Sequence, residues 1–273
     1  MPPSKFSSDL MSKEEKMDIS LQKASFGKRI IATIFDMITV VILAVGLAVG
    51  LSSALNYDTH YNTYYDALSH YSEEYGIDMD MTAEQINSLS SEQQAELRER
   101  YDAMNKAINE DEKVVYAYNM FINLSLIIAT ASIFFGVLVI EFVVPLILKN
   151  GQTLGKKIFG IAVMHVDSIK VSGVQLFARA ILGKFTFEIM IPLAIIMMIF
   201  FNLIGIMGSI ILFAILIAEI ICLVYNKKNM LLHDVIGATV CVDFLSQRIF
   251  ESREEKEAFI KKKALEQAEK AAY

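Results

Sequence analysis

The stretch FGKRIIATIFDMITVVILAVGLAVG, residues 26–50, decides the fold class. From Met37 to Leu51 it runs through fifteen positions without a charge. A helix needs about 20 mostly apolar residues to cross the hydrocarbon core of a bilayer. This segment and its flanks are long enough. It has no polar face, which a soluble helix of that length would keep. Yet Asp36 stands well inside it, and Arg29 stands seven residues earlier.

Working outward, two more blocks have the same character. Residues 120–140 hold twenty-one positions without a charge and residues 189–218 hold thirty. Of the 273 residues 54% are hydrophobic, and the mean hydropathy is +0.44. The chain therefore reads as an integral membrane protein. The net charge of −6 hides a split. Segment 56–116 carries fourteen Asp/Glu against four Lys/Arg, whereas the other basic residues lie in 1–29, 149–184 and 226–273. Basic segments stay on the cytosolic side. Both termini and the 149–184 loop are thus expected inside and the acidic segment outside, which requires an even number of spans. The first apolar block follows a polar tail of about thirty residues and is too long for a signal-peptide core, so it reads as an uncleaved span. Cys222 and Cys241 have no disulfide or metal-ligand spacing and read as small hydrophobes.

The chain divides into a cytosolic tail at 1–26, a first span at 27–55, an acidic helical insert at 56–116 and a second span at 117–148. A cytosolic loop at 149–184 follows, then spans at 185–203 and 205–225 and a cytosolic segment at 226–273. A short amphipathic helix is expected around residues 11–24. In the insert, Thr82 with Gln85 and Ser91 with Gln94 match capping boxes that open helices. In the loop, IFGIAVMHV and KVS read as a β-hairpin turning at Asp167–Ser168. Ser172 with Gln175 opens a helix bearing Arg179, either along the inner surface or as the first turns of the third span. The apolar stretch 185–225 is about twice one span, and Asn202, Gly205 and Gly208 suit a tight turn in its middle. The expected fold is all-α, with four spans, an extracytoplasmic helical insert between the first two and a short β-hairpin-like cytosolic loop.

Arg29 and Asp36 are two helical turns apart, about 10.5 Å along one face, with Ala32 between them. An unpaired carboxylate at the depth of Asp36 costs about 2.5–3.5 kcal/mol, so it must face protein or water. Glu141, Glu188 and Glu219 also fall in the inner half of their spans. Arg29, Arg179, Lys184 and His233 are the available cations. Three readings fit such a cluster: ion pairs that lock the helices, a cation or proton site, or a site for a lipid headgroup or a partner's helix. Burial moves carboxylates toward physiological titration, which suits proton binding.

GQTLGKK, residues 151–157, lacks the spacing and the hydroxyl residue of a phosphate-binding loop. Its Lys156 and Lys157 are instead expected to meet anionic headgroups. In LLHDVIGATVCVDF, residues 231–244, His233 beside Asp234 is either a proton relay or a turn in which Asp234 caps or pairs with Arg29 or Arg179. There is no nucleophile–base pair, metal-ligand spacing or dinucleotide loop, so no enzyme activity, cofactor, metal or nucleic-acid partner is expected.

Taken in order, KRIIATIFDMI, NGQTLGKKIFGIAVMHVD, QLFARAILGK and LLHDVIGATVCV resemble the RDD family of bacterial membrane proteins. The arginine and two aspartates of its name match Arg29, Asp36 and Asp234, and its Gly-x-Thr-x-Gly-Lys stretch matches Gly151, Thr153, Gly155 and Lys156. The resemblance covers 27–55 and 118–245, within an RDD-like domain at 27–245, and does not explain the insert or the lysine-rich tail. It implies a multi-pass protein of the bacterial inner membrane with a transport-related role, including cation/proton exchange in some members. The leading expectation is exchange of a monovalent cation for protons. Asp36 and Glu141 would be the carboxylate sites, Glu219, Asp234 and His233 further ion or proton positions, and Arg29 and Arg179 the counter-charges. A homo-oligomer would suit so few helices. The alternative is a non-transporting adaptor or complex subunit whose insert or tail recruits a partner.

Overall fold

The computed structural model describes residues 21–148, 150–201, 203–225 and 228–271. The expected helix around residues 11–24 therefore lies mostly outside the described residues, as does the expected turn residue Asn202. The chain is mostly helical. Helix α1 spans Phe26–Ala54. Helices α2 (Tyr57–Glu74), α3 (Ala83–Ser88) and α4 (Ser91–Glu110) follow. Helix α5 runs from Glu112 to Leu148. A short helix α6 (Leu154–Ile158) leads into strand β1 (Ile161–His165). Helix α7 runs from Gly173 to Phe200 and α8 from Gly205 to Tyr225. A short helix α9 (Leu232–Ile236), strand β2 (Thr239–Asp243) and helix α10 (Arg253–Ala271) complete it. Among the described residues, α1, α5, α7 and α8 are long and apolar enough to cross a membrane.

The structure has two compact units. Leu43–Ile133 form one of them. Within it, Asn56 takes a left-handed conformation, φ 53°, that lets α2 start directly after α1. Tyr61, Tyr64 and Tyr65 of α2 gather around Phe121 of α5. The expected box of Thr82 and Gln85 opens α3. The box that opens α4 is shifted by one residue from Ser91–Gln94: Ser90 accepts from the Gln93 amide and Gln93 reaches back to Ser90. The sequence offers two overlapping Ser-x-x-Gln registers, and Ser90, not Ser91, takes the extended backbone that a cap needs.

The second unit holds, of the described residues, those within 21–42 and 134–271, and with them Asp36, Glu141, Glu188 and Glu219. Here the expected hairpin forms only at its turn, where the His165 amide donates to the Ile169 carbonyl, and the main partner of β1 is distant in sequence. Strand β1 runs antiparallel to β2, with Ile161 opposite Asp243 and His165 opposite Thr239. The KVS stretch contributes only a single bridge, between Lys170 and Met164. The reason is burial. Ile161, Val163 and Cys241 turn one sheet face onto Ala24 and Ala32, whereas Ala162, Met164, Val240 and Val242 pack on Leu21 and Ile249. A strand apolar on both faces needs an equally apolar partner, and TVCVD supplies it where KVS does not.

Two spans contain wide helical turns. Leu138–Val143 of α5 and Ala178–Met190 of α7 are π-helical. Pro145 and Pro192 stand four residues after Glu141 and Glu188. Proline has no N–H for the carbonyl four residues back, which loosens the α-helical ladder there. Helix α7 starts at Gly173 and is continuous to Phe200, so the helix opened by Ser172 is the beginning of the third span. The surface-helix alternative and the division at 184/185 give way to this one helix.

Glycines set how closely α7 and α9 approach. A Cβ on Gly183 would sit 2.6 Å from the Cβ of His233, and one on Gly237 would sit 2.8 Å from the Cβ of Arg179. Gly46 of α1 has nothing within 4 Å of such an atom. Gly183→Ala is therefore expected to destabilise the detergent-purified protein by about 1–3 kcal/mol through overpacking. Thermal unfolding should show Gly46→Ala unchanged beside it.

Candidate functional site

The inward-turned charges of the second unit form two groups. The first is built on Asp36, 1% exposed. Thr153 caps α6 by accepting from the Lys156 amide, and its hydroxyl donates to Asp36. The Gly155 amide donates to Asp36 Oδ1 at 2.8 Å. The carboxylate thus occupies the open N–H end of α6, where an anion is favoured. Gly155 must be a glycine, because a Cβ would overlap the Ala32 carbonyl oxygen. Lys156 then stands 3.5 Å from Asp36 Oδ2 and 3.6 Å from Glu141 Oε2. Lys184 of α7 pairs with the other oxygen of Glu141. One chain of charges, Asp36–Lys156–Glu141–Lys184, ties α1, α6, α5 and α7 together. Burial pushes the Lys156 ammonium below its usual range, with Lys184 and Arg179 acting the same way and Glu141 and Asp36 opposing.

The second group is built on Asp234, which is fully buried. Its Oδ2 lies 2.9 Å from Arg29 Nη2 and its Oδ1 lies 3.0 Å from Arg179 Nε. The Leu231 amide and the Thr239 hydroxyl also donate to it, each at 3.3 Å. Burial works against its ionisation, but His233, Arg179 and Arg29 outweigh it and hold the carboxyl well below the usual range. Arg29 also donates to the Asn229 carbonyl, which fastens the start of α1 to the segment before α9. The Cys241 thiol touches both Arg179 and Asp234. Beside this centre, His233 Nδ1 lies 2.6 Å from Glu188 Oε1, and the His233 amide donates to the same oxygen. Glu219 is a neighbour of Glu188 and accepts from the Leu232 amide, while its Oε1 has no protein partner. Burial pushes the His233 imidazole below its ordinary range; Arg179 adds to this, and Asp234 and Glu188 oppose it.

The model of the RDD family matches residues 23–238, most of the chain. The chain belongs to the RDD family. Searches of curated proteins and of solved structures found no match. The arginine and aspartates matched to the RDD name are all in the cluster, but they do not form one triad. Arg29 goes to Asp234, and Asp36 goes to the Gly-x-Thr-x-Gly-Lys turn. That turn is the glycine-and-threonine cradle of this RDD chain's own carboxylate.

Several expected roles change with the geometry. Lys156 and Lys184, not Arg29 and Arg179, pair directly with Asp36 and Glu141, while Arg179 also acts on Glu141 through its charge. Lys156 does not meet headgroups, because it is buried between two carboxylates. Lys157, one position on, is exposed. Arg179 lies inside the helices, 2% exposed. Asp234 both caps α9 and pairs with both arginines. Sequence reading missed the Asp36 cradle. It also missed a signal in plain view: EFVVP at 141–145 and EIMIP at 188–192 each set a glutamate four residues before a proline.

Removing one partner of a buried ion pair costs about 3–5 kcal/mol, because it strands the other charge. Asp234→Asn strands two guanidiniums. It is expected to destabilise by at least that much, or to prevent folding. Asp36→Asn is expected to cost less, since Lys156 keeps Glu141 and an amide oxygen still accepts from Gly155. Thermal unfolding and size-exclusion profiles of the two variants check the order.

Proposed function

We propose that this RDD-family protein is a proton-coupled transporter of a bacterial cytoplasmic membrane. In this reading both termini and the 149–184 loop face the cytosol, as the distribution of Lys and Arg favours. The acidic segment 56–116 then lies outside. The reading is one of transport, not catalysis.

The observation that carries it is a charge mismatch inside the cluster. Asp36, Glu141 and Asp234 are matched by Lys156, Lys184, Arg29 and Arg179. Glu188 and Glu219 are left beside each other with the titratable imidazole of His233, and Lys184 also acts on Glu188 through its charge. Five carboxylates thus face four fixed cations. Two adjacent carboxyl groups without a cation each are stable when they share a proton. Glu188, Glu219 and His233 are therefore the proton-carrying group. Asp36 and Glu141, already held by lysine ammonium groups, serve as the frame. The chain from Glu219 through Glu188 and His233 to Asp234 gives the proton a route that a change in helix packing would open or close. Monovalent cations are the counter-substrates to test first.

The test uses purified protein in sealed vesicles with an internal pH dye and an imposed pH gradient. Adding Na⁺, K⁺ or Li⁺ is expected to collapse the gradient. Glu219→Gln is expected to abolish the collapse, and folded Asp36→Asn to retain it. The opposite pattern would return the proton site to Asp36. No response to any cation, from folded and inserted protein, would overturn cation/proton exchange.

A further inference from the structure

Two short helices stand beside the charged cluster at the depth of the spans. A Cβ on Gly155 of α6 would lie 2.3 Å from the Ala32 carbonyl oxygen, so the two backbones touch. Ala32 is six residues into α1, about 9 Å from its start. Exposed Ile31, Ile34 and Phe35 flank it on a helix built to cross a membrane. The other short helix, α9, is set as deep. His233 lies against Gly183 of α7, seventeen residues or about 25 Å from the end of that helix at Phe200. The Leu232 amide donates to Glu219 at 3.2 Å, and Glu219 stands six residues before the end of α8. Helix α8 has 21 residues, about 31 Å, little more than the hydrocarbon core. Gly183 and Glu219 are therefore within that core, and the start of α9 is with them.

The two helices follow one pattern. KKIFGIAV at 156–163 and HDVIGATV at 233–240 align on Gly160 and Gly237. Each helix follows a span, stops before its glycine and leads into a strand, and the two strands pair antiparallel. Each also turns its first amides onto carboxylates of the spans. Gly155 donates to Asp36, and Leu232 and His233 donate to Glu219 and Glu188. A helix start at membrane depth needs such acceptors, because hydrocarbon has none to offer. The outward faces are apolar. Leu154 and Ile158 of α6 are 37% and 62% exposed, and Val235 of α9, which aligns with Ile158, is 44% exposed. Exposed Lys157 has a stem long enough to return its ammonium to the headgroups.

We infer that α6 and α9 are re-entrant helices. They dip into the bilayer from the side that carries β1 and β2, and put Leu154, Ile158 and Val235 against acyl chains. The face of α6 continues the lipid-facing surface of α1 at Ile31, Ile34 and Phe35. The leaflet is the cytosolic one in the orientation proposed above. This placement does not depend on whether the protein moves protons. It gives the carboxylates of the spans a structural task, which is to end the two short helices where water is absent.

The chain has no tryptophan, so a single introduced one reports its own surroundings. Leu154→Trp, Val235→Trp and, on α10, Glu257→Trp are placed in lipid nanodiscs, which leave both faces open to solvent. Ile158→Trp is the second probe of α6 should Leu154→Trp not fold. The quenchers are phosphatidylcholine brominated in the upper acyl chain and aqueous iodide. The bromolipid is expected to quench Leu154→Trp and Val235→Trp several times more strongly than iodide does, and Glu257→Trp is expected to show the reverse. Iodide quenching of either short-helix probe at the level of Glu257→Trp would overturn re-entry of that helix. Protection from both quenchers would overturn the lipid contact and leave these faces covered by protein.

Discussion

A carboxylate with no access to solvent must be neutralised where it stands, and Asp234 is neutralised by two arginines that come from distant parts of the chain. Arg29 belongs to α1 and Arg179 to α7, and Asp234 itself sits on α9. Satisfying this one group fixes where three elements meet. It also explains why α9 lies so close to α7, with Gly183 and Gly237 removing the side chains that would hold them apart. Strand β2 follows α9 directly, and its pairing with β1 brings α6 and its lysine within reach of Asp36 and Glu141. The sheet is small, yet it is the element that delivers the Gly-x-Thr-x-Gly-Lys turn to α1.

The lipid-facing surfaces are plain. Ile31, Ile38, Val41, Ile42 and Val45 of α1 are exposed, as befits a helix whose solvent is hydrocarbon. The polar content is turned inward, where Asp36, Glu141 and Asp234 each have a cationic partner. Such pairs contribute little net stability over a well-packed apolar core, because desolvation offsets the Coulomb gain. Among the described residues, no lysine or arginine pairs directly with Glu188 or Glu219, and His233 connects Glu188 to Asp234.

Local signals in the sequence were legible and long-range ones were not. The charge-free runs located the spans, since hydrocarbon thickness dictates helix length. Thr82–Gln85 and Ser172–Gln175 marked helix starts, because a capping box lies within four residues. The inner-half depth of Asp36, Glu141, Glu188 and Glu219 foretold a cluster. The partners were not readable. Asp36 meets Gly155 across 119 positions, and β1 meets β2 across about eighty, and no local pattern encodes such separations. Lys156 looked like a surface residue because lysines usually are; only the carboxylates on either side make its burial tolerable. The π-helical turns escaped hydrophobic periodicity, although the glutamate–proline spacing in α5 and α7 records them.

The most direct test of the charge assignment is an infrared spectrum of the purified protein at pH 7, where exposed carboxyl groups are ionised. Wild type minus Glu188→Gln/Glu219→Gln is predicted to show a protonated-carboxyl carbonyl band, and wild type minus Asp36→Asn is predicted to show none. A band that disappears with Asp36→Asn and survives the glutamate substitutions would contradict the account.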